Sequence, residues 1–198
     1  MNIPFYTYSG KCLNLAEIKT DDITIEDIAH HLSQSCRYNG GTKEFYSVAE
    51  HTVHLVQYAR AQGKNVDVQK QILLHDAAEA YIGDMVYHLK AQFPVFKDMD
   101  TLLTSAIMDR FEVSSRDFKY CHEIDRRICV DEMYQLLKKI DPDLFTGDGL
   151  AQLGIQCQCW SPKKAEAEYL RLAKELGIDV TTITIHNDYY DRYGNNYV

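Results

Sequence analysis

The pair His75-Asp76 interrupts an apolar, alanine-rich stretch that otherwise has the character of a buried helix. Burying an imidazole or a carboxylate without a partner is energetically costly, so such groups are usually paired or bound to a metal. Their partners must come from other parts of the chain. The pair therefore predicts a packed helical core in which further polar side chains converge on this helix.

The whole chain has the size and composition of one globular domain. Its 198 residues suffice for one sizeable core, and 45% hydrophobic and 25% charged residues are ordinary for such a domain. No apolar run approaches the roughly 20 residues that cross a bilayer, and the first residues lack the pattern of a secretion signal. We therefore expect a cytoplasmic protein without membrane contact, whose six cysteines are reduced thiols. A net charge of −8 argues against stable nucleic-acid binding.

Helix start and stop signals dominate most of the sequence. Ser47 and Glu50 form a capping box, in which each side chain binds a free backbone donor of the other's residue. The predicted helices are one capped by Thr24, one from Ser47 to Gly63, one from Asp67 through His75-Asp76 to Gly83, and those over 95–111, 117–140 and 161–177. Residues 1–20 are expected to form an extended or hairpin-like arm, and the last twenty residues a strand or a loose tail. We predict an all-α fold with one domain over 1–198 and a core over about 20–177.

Helix phase indicates which side chains near His75 can meet. At about 100° per residue, Glu79 lies on the same helix face as His75 and Asp76. His51 falls in the first turn of the preceding helix, where it can pack against the middle of its neighbour. His54, one turn further on, is expected to lie just outside a metal site built from these residues.

The fourth ligand is chosen among Asp125, Asp131 and Glu132 on the long helix. Asp125 falls within the apolar stripe of that helix, whereas Asp131 points towards its polar side and is expected to face solvent. A buried salt bridge of Asp125 with Arg126 or Arg127 stays open as an alternative. The predicted metal ligands are His51, His75, Asp76 and Asp125.

Two imidazoles and two carboxylates suit one divalent ion such as Zn, Mn, Co, Ni or Fe(II). Such an ion polarises a phosphoryl oxygen and lowers the pKa of bound water, which indicates metal-assisted hydrolysis. Mg is a further candidate, as an ion that accompanies the substrate phosphates. Glu79 is expected to orient the water or move its proton, and Asp84 to hold a second water or a substrate hydroxyl. These two residues are the predicted catalytic side chains.

The ligand pattern closely resembles that of the HD-domain phosphohydrolase family, whose hallmark is a separated histidine, then His-Asp, then aspartate. Further segments are similar to the deoxynucleotidase branch of that family, and the match covers about residues 20–175. The segments that carry this similarity are residues 37–40, 44–51, 75–84 and 89–90. The resemblance implies a single HD-domain helical bundle with Glu79 as the catalytic acid or base and Asp84 as its partner.

The resemblance also implies how a nucleotide would bind. In that branch an arginine and an aromatic residue, which match Arg37 and Tyr38, serve the phosphate and the sugar. Arg37 would clamp a phosphate, and Tyr38 would form a wall against the deoxyribose that leaves no room for a 2′-hydroxyl. Better-known bacterial members have tryptophan at this place, so Tyr38 is a departure from the pattern. Lys43 and Lys90 would add positive charge near the phosphates.

Two reactions are implied by short members of the family. Phage-type enzymes remove triphosphate from dATP, and others remove phosphate from deoxynucleoside monophosphates. The first expectation is therefore a deoxynucleoside triphosphate triphosphohydrolase that prefers dATP, and the second is a 5′-deoxynucleotidase. A non-catalytic nucleotide-binding module and a hydrolase of another phosphoester, such as a cyclic nucleotide, are the alternatives. The resemblance further implies a homo-oligomer, a dimer or a hexamer, in the cytoplasm of a bacterium or of a phage-infected host.

Overall fold

The computed structural model describes residues 2–90, 92–114, 118–141 and 151–180, except for the side chains of Tyr87 and His88. The described chain is mostly helical, as the sequence predicts. Its α-helices are α1 (Ile25–Gln34), α2 (Val48–Ala61), α3 (Val66–Leu74), α4 (Glu79–Ile82), α5 (Tyr87–Lys90), α6 (Pro94–Arg110), α7 (Lys119–Leu136) and α8 (Pro162–Glu175).

Most of the predicted helix starts are confirmed by capping hydrogen bonds. Thr24, Ser47 and Ser161 each accept the backbone N–H of the third residue in the helix that follows. The start of α3 differs from the prediction, because Asn65 and not Asp67 accepts the capping hydrogen bond. Asp67 lies in the first turn instead, where its negative charge suits the helix dipole.

The predicted helix through His75-Asp76 is broken at the histidine. α3 ends just before this pair, and α4 begins after a tight turn. In a continuous α-helix the carbonyl of Ile72 would accept the backbone N–H of Asp76. Here it accepts the backbone N–H of His75 at 3.4 Å and the Nδ1–H of the same residue at 2.7 Å. The histidine side chain therefore ends the helix.

The end of α7 also differs from the prediction. The helix stops at Leu136 instead of residue 140. The carbonyl of Leu136 accepts the backbone N–H of Lys43 at 2.8 Å, so the chain between α1 and α2 takes the hydrogen bond that a further turn would use.

α2 lies at the centre of the fold and packs against α1, α3, α7 and α8, while α7 also contacts α3. Buried apolar side chains from these helices, such as Val53, Leu73 and Ile128, belong to one core. The packing brings three places together: the first turn of α2, the turn after α3 and the middle of α7.

The N-terminal arm is a hairpin, as expected, and it is held against α1. Its strands β1 (Pro4–Tyr6) and β2 (Cys12–Asn14) pair in antiparallel fashion. Ser9, between them, donates its backbone N–H and its hydroxyl to the carboxylate of Asp27 in α1. Leu13 is buried in the core, so the hairpin is part of the domain.

Three smaller expectations concern the C-terminus, the cysteines and membrane contact. The strand or loose tail expected at the C-terminus falls almost entirely on residues 181–198, which lie outside the described residues. All six cysteines are free, as expected. Within the described ranges, every helix is too short or too polar to cross a membrane.

Candidate metal centre

The four predicted ligands come together from α2, the turn after α3, and α7. His51 Nε2 lies 3.1 Å from Asp125 Oδ1, and His75 Nε2 lies 4.0 Å from the same oxygen. The ligand atoms of these three residues all lie within 4.8 Å of one another, so they can hold a metal ion. Asp76 stands beside this group, with Oδ2 at 3.0 Å from His75 Nε2 and 3.7 Å from His51 Nε2.

Both histidines present their Nε2 atoms to the carboxylates. The Nδ1–H of His75 donates to the carbonyl of Ile72, and the Nδ1–H of His51 donates to Glu132 Oε1, each at 2.7 Å. Each Nε2 atom is buried and has no hydrogen-bond partner among the described residues. The lone pairs on these two Nε2 atoms face carboxylate oxygens. Lone pairs and carboxylates repel each other unless a positive charge lies between them. Metal-binding histidines typically show this arrangement, with the second ring nitrogen donating to a fixed acceptor.

The charges of the cluster also favour a divalent cation. Asp76, Asp125 and Glu132 carry three negative charges, and Arg37 carries one positive charge at 3.1 Å from Glu132. Two negative charges are therefore left without a fixed partner within this set. Glu132 is completely buried, and Asp76 and Asp125 are only 19% and 31% exposed. Because uncompensated charge is costly where water is largely excluded, the cluster attracts a species that brings two positive charges.

The pKa values of the two histidines support the same conclusion. Burial lowers the pKa of His51, but Glu132 and Asp125 outweigh burial and raise it to about 9. Burial likewise lowers the pKa of His75, but Asp76 outweighs it and raises that pKa above its ordinary value. Each imidazole thus lies in surroundings that favour a positive charge. The donor set, its orientation and its charge all fit a divalent metal.

Glu132 also lies in the site, although the sequence pattern favours Asp125 as the fourth ligand. Its side chain is completely buried. Oε1 accepts the Nδ1–H of His51, while Oε2 accepts the hydroxyl of Tyr38 at 2.7 Å and the Nε–H of Arg37 at 3.2 Å. A signal was present in the sequence, since Glu132 follows Asp125 by about two helical turns and so lies on the same face of α7.

The expectation that Asp131 faces solvent is wrong. Its side chain is 3% exposed and accepts the backbone N–H groups of Leu153, Gly154 and Ile155 at 2.9, 3.1 and 3.4 Å. Residues 151–160 fold back over α7 and cover the face that the helical pattern marks as polar.

The second half of the expected capping box is also wrong. Instead of reaching back to Ser47, the buried carboxylate of Glu50 accepts the backbone N–H groups of residues 158–160 at 2.7, 2.9 and 2.6 Å. His54 was expected beside the metal site. Its Nε2 atom instead lies 3.3 Å from Glu50 Oε1, and its ring centroid lies 5.1 Å from that of Trp160. His54 and Trp160 also line an open groove of about 460 Å³, which none of the predicted site residues borders.

Arg37 and Tyr38 lie next to the ligands, as expected, but both are held by Glu132. Tyr38 and the following Asn39 have φ angles of 56° and 51°, a left-handed conformation that non-glycine residues adopt at some cost. Arg37 NH1 lies 3.9 Å from Asp76 Oδ2. The turn therefore directs both side chains into the cluster.

The two predicted lysines are less closely tied to the ligands. Lys43 is exposed, and its described hydrogen bond is the backbone one to α7. Lys90 Nζ lies 3.0 Å from Asp100 Oδ1, so its charge is already paired with α6.

Glu79 and Asp84 follow the ligand Asp76 closely in the chain, and its charge acts on both of their carboxyl groups. The Oε2 atom of Glu79 is buried without a hydrogen-bond partner among the described residues. Burial, together with the charges of Asp76 and Asp84, raises the pKa of Glu79 well above its ordinary value. Burial likewise raises the pKa of Asp84. Gly83, with a φ of 79°, ends α4 and turns the chain towards Asp84.

Comparison with known proteins adds relatives but no activity. No family model matches the sequence. The chain is 37% identical over 117 residues to the uncharacterized protein YfdR of Escherichia coli (strain K12), which covers 58% of this chain and 63% of that protein. It is 41% identical over 108 residues to the uncharacterized protein RCAP_rcc00048 of Rhodobacter capsulatus, which covers 52% of this chain and 55% of that protein. The chain thus matches less than two thirds of the length of either relative.

Proposed function

We propose that the chain is a divalent-metal-dependent phosphohydrolase of the HD-domain family that cleaves the 5′ phosphoester bond of deoxynucleotides. One observation carries the proposal: the buried Nε2 atoms of His51 and His75 lack hydrogen-bond partners among the described residues and face the carboxylates of Asp125 and Asp76. Buried polar atoms that lack partners often mark an ion or a catalytic role. The buried carboxyl of Glu79 adds a group for proton transfer.

The chain's own groups have separate roles in this reaction. A divalent ion held by the four ligands would supply Lewis-acid activation of water and of a phosphoryl oxygen. The NH1 group of Arg37 would donate to the phosphate under attack, and Asp84 would orient the water. The water oxygen bonds to phosphorus while the P–O5′ bond breaks. Glu79, whose pKa burial raises, would give a proton to the 5′ oxygen, and the proton lost by the water would restore the carboxyl.

Two substrate classes fit this reaction, because deoxynucleoside triphosphates and monophosphates contain the same 5′ phosphoester bond. The sequence resemblance favours the triphosphate, with dATP preferred, and this is the first candidate. One observation favours the monophosphate as the second: Lys90 is paired with Asp100, and Arg37 is bound by Glu132. The paired state of these cations suits one phosphate group better than three.

The direct test is incubation of the protein, loaded with Mn²⁺ or Co²⁺, with each dNTP, each dNMP and a cyclic nucleotide, followed by chromatography. Free deoxynucleoside with triphosphate identifies the first candidate, and free deoxynucleoside with phosphate the second. Nucleotide binding without turnover under any metal would contradict the proposal and indicate a binding module instead.

The variant Glu79→Gln is expected to keep its metal and lose most of its turnover. The amide has the shape of the carboxyl but cannot exchange a proton, and general acid–base groups typically contribute about 10²–10⁴-fold to rate. Turnover and metal content are measured on the same preparation. Glu123→Gln, an exposed glutamate on α7, serves as the control and should match wild-type. Unchanged turnover in Glu79→Gln would remove this residue from the mechanism.

A further inference from the structure

Glu132 makes contacts that no single expected role explains. One oxygen of its fully buried carboxylate is devoted to His51 Nδ1–H, at 2.7 Å. The other is shared by the hydroxyl of Tyr38 at 2.7 Å and by Arg37, whose Nε and NH2 atoms lie at 3.2 and 3.1 Å. One side chain thus joins a predicted metal ligand to both predicted substrate-binding residues.

We propose that Glu132 is a positioning residue that holds His51 with its Nε2 lone pair towards the metal and, through Arg37 and Tyr38, fixes the substrate-binding turn against the metal site. This inference rests on the proposed function, and it adds a residue to which neither the ligand pattern nor the family resemblance gives a role.

The contact with Glu132 sets the tautomer of His51. An ionised carboxylate only accepts, so the hydrogen bond to Glu132 Oε1 requires the proton to lie on Nδ1. Nε2 is then left as a donor of electrons, 3.1 Å from Asp125 and 3.7 Å from Asp76. Without an acceptor at Nδ1, the ring can place its proton on Nε2, where it would form a hydrogen bond to Asp125 and block the metal.

The contact with Glu132 also sets the direction of Arg37. The Nε–H of Arg37 donates to Glu132 at 3.2 Å, while NH2, 3.1 Å from the same carboxylate, donates to Cys129 Sγ at 3.5 Å. This leaves NH1 on the side of Asp76, at 3.9 Å. The guanidinium is planar and rigid, so fixing two of its nitrogens fixes the third. Tyr38, whose backbone is left-handed, is held by the same oxygen. Glu132 therefore determines where a bound phosphate would meet the arginine.

The structure supplies a matched control for this role in the adjacent Asp131. Both carboxylates are buried in α7, but Asp131 binds only backbone N–H groups of residues 153–155 and the described contacts of its carboxylate include none of the ligands. A merely structural role for Glu132 would make the two residues equivalent in a metal-binding assay.

The experiment is a titration of wild-type, Glu132→Gln and Asp131→Asn with Zn²⁺ alone, without substrate. The amide of Glu132→Gln offers one accepting oxygen where the carboxylate offers two, so it cannot serve both His51 and the Arg37–Tyr38 pair. This variant is expected to bind Zn²⁺ about 10–100-fold more weakly, the usual cost of disturbing an outer partner of a metal ligand. Asp131→Asn should bind as wild-type does. Equal affinities in all three proteins, or equal losses in both variants, would overturn the positioning role.

A second measurement covers the case in which Glu132→Gln does not fold. The double variant Arg37→Met with Glu132→Leu removes both buried charges together, a change that folded proteins often tolerate. Nitrogen NMR of His51 in metal-free protein at alkaline pH is expected to show the proton on Nδ1 in wild-type and on Nε2 in the double variant. A proton that stays on Nδ1 would overturn the inference. If wild-type binds no Zn²⁺, the proposed function fails, and the His51 signal still decides the role of Glu132.

Discussion

His75→Ala is expected to weaken the binding of a divalent cation by more than about 100-fold, beyond the usual loss for an outer partner of a ligand. The variant removes one of two nitrogen donors whose Nε2 atoms are buried and unpartnered among the described residues. Turnover of any deoxynucleotide substrate should disappear with the metal. Metal content after dialysis and Zn²⁺ affinity measure the effect, and circular dichroism shows whether the helices persist.

The control for this prediction is His122→Ala, which removes an exposed histidine of α7. It should retain both metal and turnover, because His122 is not in the group of described side chains that could hold a metal ion. Stoichiometric metal in a folded His75→Ala protein would show that the cluster of His51, Asp76 and Asp125 does not need this ligand, and the site as described would be wrong.

Local signals in the sequence predicted most of the helical framework. Caps such as Thr24, Ser47 and Ser161 act within one turn of the residues they bind, so neighbouring residues reveal them. The clustering of the candidate ligands could also be predicted, because a histidine or carboxylate in an apolar stripe needs a partner. Asp125 lies in such a stripe, and its oxygen is 3.1 Å from His51 Nε2.

What the sequence could not reveal depends on contacts between distant parts of the chain. Asp131 and Glu50 are buried because residues 151–160 cross α7 and α2, and no pattern within either helix encodes that loop. The break at His75 arises because its ring competes for a backbone carbonyl, a choice that helix periodicity does not register. Glu132 shares the face of Asp125, but its partners Arg37 and Tyr38 come from a turn far away in sequence.

Arg37→Met is expected to lower the free energy of unfolding by about 3–5 kcal/mol, because it leaves the charge of Glu132 buried without its cation. Burial raises the pKa of Glu132, but Arg37 and His51 outweigh burial and lower it from 4.5 to about 2. A carboxyl whose pKa is lowered by folding stabilises the folded protein at any pH above its pKa in the unfolded chain. This contribution is lost as the pH falls through its pKa in the folded protein. Removing Arg37 raises the folded pKa again. The difference between the proteins should therefore be largest above pH 4.5 and narrow towards pH 2.

Urea unfolding across this pH range measures the effect of Arg37→Met, with Arg171→Met as the control. Arg171 forms exposed ion pairs with Glu168 and Glu175 in α8, and such pairs are worth only about 0–1 kcal/mol. The control should therefore remain close to wild-type at every pH. An equally small, pH-independent change in Arg37→Met would mean that the charge of Glu132 is already solvated by water or neutralised by another cation. The charge balance that favours a divalent ion at the centre would then no longer hold, since it counts Arg37 as the fixed partner of that carboxylate.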